Sequence, residues 1–382
     1  MNPNLCCLQR FVRFGFGILS IALTAAASSA QEPFAPLFNG RDLSGWVLVN
    51  TPPETWSVSD SMLICSGRPI GEIRTARMFQ NFILEVEWRH MVPGGNAGIF
   101  VWADDITARG VPFHRSVEVQ VLDHAYGQSR GHTTHGDIFP IHGATMTPVN
   151  GRGGSRAFPT EERSRPSPEW NHYRIECRDG SISLAVNGKV VTRGNDASPR
   201  KGYICLESEG GVVHYRNIRI HELPDTPVTP EQTAVANRGY RSIYNGLNLN
   251  GWTASAASAE CWKANDWQLS CDGSADNPEL CLLESGEQLA NRGFVVDILP
   301  KKGCTALAVA GFSLPSEILT PDRWVRLEAT VSNGQVSLTA DGKSAGSPVA
   351  VAADAKFALQ VKGPANFANL FVRELKEKNG NE

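Results

Sequence analysis

"EWNHYRIECRDGSISLAVNGK", residues 169–189, decides the fold. In "YRIEC" the apolar residues fall at strand positions, and "ISLAVNGKVV" sets Asn187-Gly188 between two β-rich runs. Asn-Gly suits the two left-handed positions of a tight hairpin turn, so the stretch reads as paired antiparallel strands. It returns as "RWVRLEATVSNGQVSLTADGK", residues 323–343, with Asp341-Gly342 at the turn.

Working outward, three further blocks recur in the same order. "LFNGRDLSGW" (37–46) is echoed by "IYNGLNLNGW" (243–252), "ETWSVSDSMLICSG" (54–67) by "ECWKANDWQLSCDG" (260–273), and "VHYRNIRIHEL" (213–223) by "NFANLFVREL" (366–375). Four ordered echoes indicate a duplicated domain. The copies differ in length: 114 positions separate Trp56 from Trp170, but only 62 separate Trp262 from Trp324. Between the copies, "PDTPVTPEQTAVANRGY" (224–240) has three prolines and no apolar period, which marks a linker. Trp46 and Trp252 read as core anchors, because large aromatics are usually buried.

Elsewhere the apolar period is two. "FILEVEWRH" (82–90) alternates Leu84, Val86 and Trp88 with Glu85, Glu87 and Arg89, and "RSVEVQVLD" (115–123) alternates Val117, Val119 and Val121 with Ser116, Glu118 and Gln120. With 36 Gly and 23 Pro to supply turns, the chain reads as all-β, each copy a sandwich or jelly roll.

Residues 1–30 read as a cleaved leader. Arg10 and Arg13 precede the short apolar run "FGFGILSIALTAAA", and small residues stand before Gln31. The expectation is a periplasmic or secreted protein with no membrane span after leader removal. The domains expected are 31–223, the linker, 241–376, and a tail at 377–382. A net charge of −3 argues against a nucleic-acid partner, which calls for a clustered basic face. Two of the nine cysteines, Cys6 and Cys7, fall in the leader, and the rest show no metal-binding spacing. Cys177 and Cys205 read as buried small hydrophobes, and the four cysteines of the second half leave room for one or two disulfides. Oligomeric state is not legible.

The blocks "LFNGRDLSGW", "NFILEVEWRH…GGNAGIFVW" (81–102), "VEVQVLD" (117–123), "EWNHYRIECRDGSISLAVNGK" and "YRNIRIHEL" (215–223) together resemble the 3-keto-disaccharide hydrolase domain family. The resemblance is good over 37–223 and thin but ordered over 243–375. It implies two concanavalin A-like jelly-roll sandwiches in tandem, the second shortened, and a site for glucosides oxidised at C3. A non-catalytic, lectin-like carbohydrate-binding module is the alternative.

The residues themselves suggest where a sugar would sit. If the valines of "VEVQVLD" face the core, Glu118 and Gln120 share the other face, roughly 7 Å apart. Arg89, Asn96, Phe100 and Trp102 are the expected substrate-binding residues, together with Gln120: aromatic plates stack on a sugar ring while polar groups meet its hydroxyls. The stretch 122–146 holds His124, His132, His135 and His142 with Asp123 and Asp137. Such a cluster is acid–base machinery, a divalent metal site, or a solvated loop; no metal spacing singles out the second. A 3-keto group acidifies the C2 proton, so one base and one acid would expel the glycosidic oxygen by elimination. Glu118 or His124 is the expected base, Asp123 or His135 the acid, and Arg89 or a metal the partner of the ketone oxygen. The second copy lacks these segments and reads as scaffold or an accessory-binding domain.

Overall fold

The computed structural model describes residues 33–133, 135–273 and 281–375. The expected leader and the expected tail lie outside the described residues. The fold is all-β, with only single 3-10 turns of helix among the described residues, none long or apolar enough to cross a membrane.

Between Ala35 and Glu222 a nine-stranded and a six-stranded sheet enclose one core. Val117, Val119 and Val121 of the six-stranded sheet and Leu84, Val86 and Trp88 of the nine-stranded sheet belong to it. The turn expected at Asn187-Gly188 joins strands Ser181–Val186 and Lys189–Ser198, both turn residues being left-handed (φ 47° and 88°). Asp341-Gly342 does the same in the second half (φ 48° and 77°). There a nine-stranded and a five-stranded sheet enclose a second core. Trp46 and Trp252 are buried, one in each core. The seven cysteines from Cys65 onward are free thiols, and Cys261 and Cys281 lie 2.9 Å apart.

The smaller sheets can be compared strand by strand. In the first half the order is 46–49, 71–75, 203–208, 96–103, 116–122, 135–141; in the second it is 252–254, 281–288, 356–362, 306–309, 312–313. The first four strands correspond, since Trp46 pairs with Thr75 as Trp252 pairs with Ser285. The second half then ends in a two-residue strand, with no counterpart of Ser116–Leu122 or His135–Ile141 among the described residues. The missing length is the missing pair of strands.

Residues 104–115 leave the first sandwich and are gripped by the second. Gly110 donates to Asp297 at 2.8 Å, Asn369 donates to the carbonyls of Ala108 and Val111, and Arg326 donates to that of Thr107. Gly110 is left-handed (φ 71°), and a Cβ there would fall 2.4 Å from the Trp324 ring, so only glycine fits.

Candidate active site

The candidate site lies on the outer face of the six-stranded sheet. Because side chains alternate across a strand, the residues between the core valines all project to this face. Cross-strand pairing sets Glu118 opposite Phe100 on one side and Phe139 on the other, Gln120 opposite Gly98, and Glu72 opposite Glu207. Gly98 lets them close in, with no room for a side chain of its own. A Cβ placed there would lie 2.9 Å from Glu118 Oε1, 2.9 Å from Glu207 Oε2 and 2.8 Å from the Phe100 ring. The two carboxylates therefore converge on a single point.

Around this pair, Asn96 donates to Glu209 and accepts from Gln120 at 3.1 Å. Arg156 lies over the Phe139 ring, 3.4 Å from its centroid, and donates to Asp137 at 2.9 Å and to Gln120 at 3.4 Å. On the far side, His114 donates its backbone N–H to Glu72 at 3.0 Å and turns its ring toward the same carboxylate, 3.8 Å from the Cys205 thiol.

Burial dominates the electrostatics. It pushes Glu118 up to about 8, with Glu209 adding repulsion that Arg156 partly offsets. Glu207 is raised well above the usual carboxylate range by burial and then by Glu118, and its Oε2 is buried with no hydrogen-bond partner. Like charges this close cannot both ionise easily, so the pair holds a proton near neutrality. The consequence for stability has a definite sign. A carboxyl harder to ionise folded than unfolded removes stability as pH climbs from about 4.3 toward about 8. Glu118→Gln should flatten that decline and raise Tm at pH 8, measured by calorimetry from pH 5 to 8; parallel curves for both proteins would contradict it.

Strand His135–Ile141 carries the second group. Asp137 and Phe139 take the Glu118 face, Phe139 opposite Glu118 itself, but the pairing shifts at left-handed Gly136 (φ 81°), so His135 stands opposite core-facing Val121. The His135 ring stacks on His124 at 4.9 Å and 20°, and both Nε2 atoms face Glu162 Oε1, at 3.6 and 3.1 Å. Two groups among the described residues could hold a metal: this one, and the fully buried Glu72, His114 and Cys205.

The structure thus brings Glu118, Gln120 and Asn96 together on one face and His124 with His135 in a second group, and corrects five expectations. Arg89 belongs to the other sheet: it lies over Trp170 at 4.6 Å and contacts His214, beside Glu85 and Glu87, which pair with Arg174, Arg219 and Arg216. Trp102 is left-handed (φ 56°) at a bulge in the pairing, so it turns into the core and donates to the Gln80 carbonyl. Phe100 is on the right face but sealed beneath Phe113, ring centroids 5.9 Å apart, and cannot stack on a sugar. Asp123 is a loop fastener: burial alone would raise its carboxyl, but backbone N–H groups of Gly94, Ala125 and Ser167 outweigh that and hold it low, unsuited to an acid. His135 is likewise no proton donor at neutrality, because burial and His124 drive it down to about 3. Of the other histidines, His132 packs on Tyr126 and His142 on Phe113.

Sequence reasoning missed Glu72, Glu207, Glu209, Arg156 and Glu162. One signal was available: "YICLES" sets Glu207 in a strand whose neighbours are apolar, where an unpaired acid is costly. In the second sandwich the positions matching Glu72, Glu207 and Gly98 are Leu282, Gln360 and Ala308, given the shared register. Those three positions carry no acid, and that face has lost two strands.

Residues 33–221 match the model of the 3-keto-alpha-glucoside-1,2-lyase-like domain. A 3-keto-disaccharide hydrolase of Bacteroides thetaiotaomicron is 22% identical over 236 residues, covering 50% of this chain and 79% of that protein. Among solved structures, a candidate glycosyl hydrolase from Parabacteroides distasonis is 25% identical, with a TM-score of 0.38, covering 50% of this chain and all of that one. A Bacillus licheniformis beta-glucanase is 13% identical, with a TM-score of 0.35, covering 51% of this chain and 100% of that one. The first half of the chain, residues 33–221, belongs to the 3-keto-alpha-glucoside-1,2-lyase-like domain family.

Proposed function

We propose that the protein is an exported enzyme, periplasmic or secreted, that cleaves 3-keto-glucosides or 3-keto-disaccharides by elimination followed by hydration. The observation that carries this reading is the convergence of Glu118 and Glu207 over Gly98, on a face shared with amides and an arginine. The family match and the Bacteroides thetaiotaomicron relative support the substrate class.

In this proposal the glucoside lies over Gly98, its hydroxyls met by Asn96, Gln120 and Arg156. The ionised member of the carboxylate pair removes the C2 proton. Electrons of that C–H bond form a C1–C2 double bond conjugated to the C3 ketone, and the C1–oxygen bond breaks. The protonated member gives its proton to the departing oxygen. Water then adds across the double bond, its oxygen going to C1 and a proton to C2, which completes a net hydrolysis. The raised carboxyl values suit this task, because a proton carrier works best when it titrates near the working pH.

The test is to incubate the full chain with 4-nitrophenyl glucoside and with its 3-keto form. Release of nitrophenol from the keto form alone is the expected result. Binding of either sugar without release would make the domain lectin-like and overturn the enzymatic reading.

A further inference from the structure

We infer that His124, His135 and Glu162 form a binding site for one first-row divalent cation beside the end of strand Ser116–Leu122. Three separate segments deliver the donors: the turn His124–Tyr126, the strand His135–Ile141, and the loop holding Glu162. Their spacing is that of ligands on one ion. Two donors each roughly 2.0–2.2 Å from a tetrahedral metal lie about 3.3–3.5 Å apart, and here the carboxylate oxygen is 3.1 Å from one Nε2 and 3.6 Å from the other. All three donor atoms fall within 4.8 Å of one another. Two imidazoles and a carboxylate are a donor set that leaves a fourth position open to water or substrate.

The surroundings fit an ion that meets a ligand. His135 is buried, so its ring is fixed, while Glu162 is half-exposed and leaves the site open on one side. The Ser164 hydroxyl, 2.9 Å from His124 Nε2, stands within reach of the same point. His135 pairs with Val121, and His124 follows the same strand by two residues, so the ion would sit at the end of strand Ser116–Leu122. Nitrogen and oxygen donors together select zinc, manganese and their neighbours over calcium. Binding of the ion stands independently of the catalytic reading above.

Binding is therefore tested without substrate. The full chain is stripped with chelator and titrated calorimetrically with Zn²⁺ and, separately, with Mn²⁺. One ion per chain is expected, with affinity falling at least about 100-fold in Glu162→Gln and in His124→Ala. Tm of the metal-free variants should stay at the metal-free wild-type value, since Glu162 and His124 are partly exposed and carry little packing. Cobalt(II) should give the visible absorption of a four-coordinate site in the wild type and lose it in both variants. No binding, or affinity unchanged in both variants, would overturn the site. Metal bound as expected alongside inert 3-keto-glucosides would instead overturn the substrate reading and leave the site standing.

Discussion

Glu207→Gln is expected to lower kcat on a 3-keto-glucoside by about 10³-fold, within the range that positioned proton transfer contributes, while leaving the protein as stable or more so. The side chain is nearly isosteric, so the close packing over Gly98 is kept. What changes is charge. Burial raises both carboxyls, and Glu118 adds repulsion at Glu207; an amide at 207 removes the second proton carrier. Glu118 should stay raised, because its burial and the repulsion from Glu209 remain, so the base limb of the activity–pH profile should keep its position. Steady-state kinetics from pH 5 to 9, with a melting curve for each protein, reads all of this. Turnover within about tenfold of wild type would remove the pair from the mechanism. Because residues that act as a unit are not additive, the double variant with Glu118→Gln should be hardly slower than either single one.

The second large effect is structural. Asp297→Ala should cost about 3–5 kcal/mol, the range seen when one partner of a buried ion pair is removed. Asp297 is fully buried and takes the Arg326 guanidinium at 2.8 and 2.9 Å, the Gly110 N–H at 2.8 Å and the Asn369 amide at 2.6 Å. Its loss leaves Arg326 with no counter-charge and unfastens residues 104–115. That loop brings Phe113 onto Phe100 and His114 onto Glu72, so the second sandwich serves the site by holding the loop rather than by chemistry of its own. Hydrogen exchange should show lost protection at Gly110 together with the lower stability. A change below about 1 kcal/mol, with protection intact, would contradict this role.

Much of the architecture was legible because its signals are local. Val117, Val119 and Val121 alternate within one strand, and Asn187-Gly188 and Asp341-Gly342 announce their own turns. The shortfall between Trp262 and Trp324 is the two strands that the second sandwich lacks. The site was legible only where alternation alone decided it, as for Glu118 and Gln120. Alternation gives the face a residue takes on its own strand but not the sheet to which that strand belongs, which is why Arg89 went astray. Trp102 was misplaced because a single left-handed residue at a bulge reverses the alternation. Asp123 lies just past its strand, where hydrogen bonds to the loop decide its role. Glu207 and Glu72 meet Glu118 only through sheet order, across long separations that no local spacing encodes.

The central claim is that a sugar ring lies over Gly98 between Glu118 and Glu207. A crystal structure of the full-length Glu207→Gln protein soaked with a 3-keto-glucoside tests it most directly. The ring is expected above Gly98, with C2 and the glycosidic oxygen within hydrogen-bonding reach of side chains 118 and 207. A ligand bound instead on the Glu85–Glu87–Arg89 face, or on the second sandwich, would contradict it.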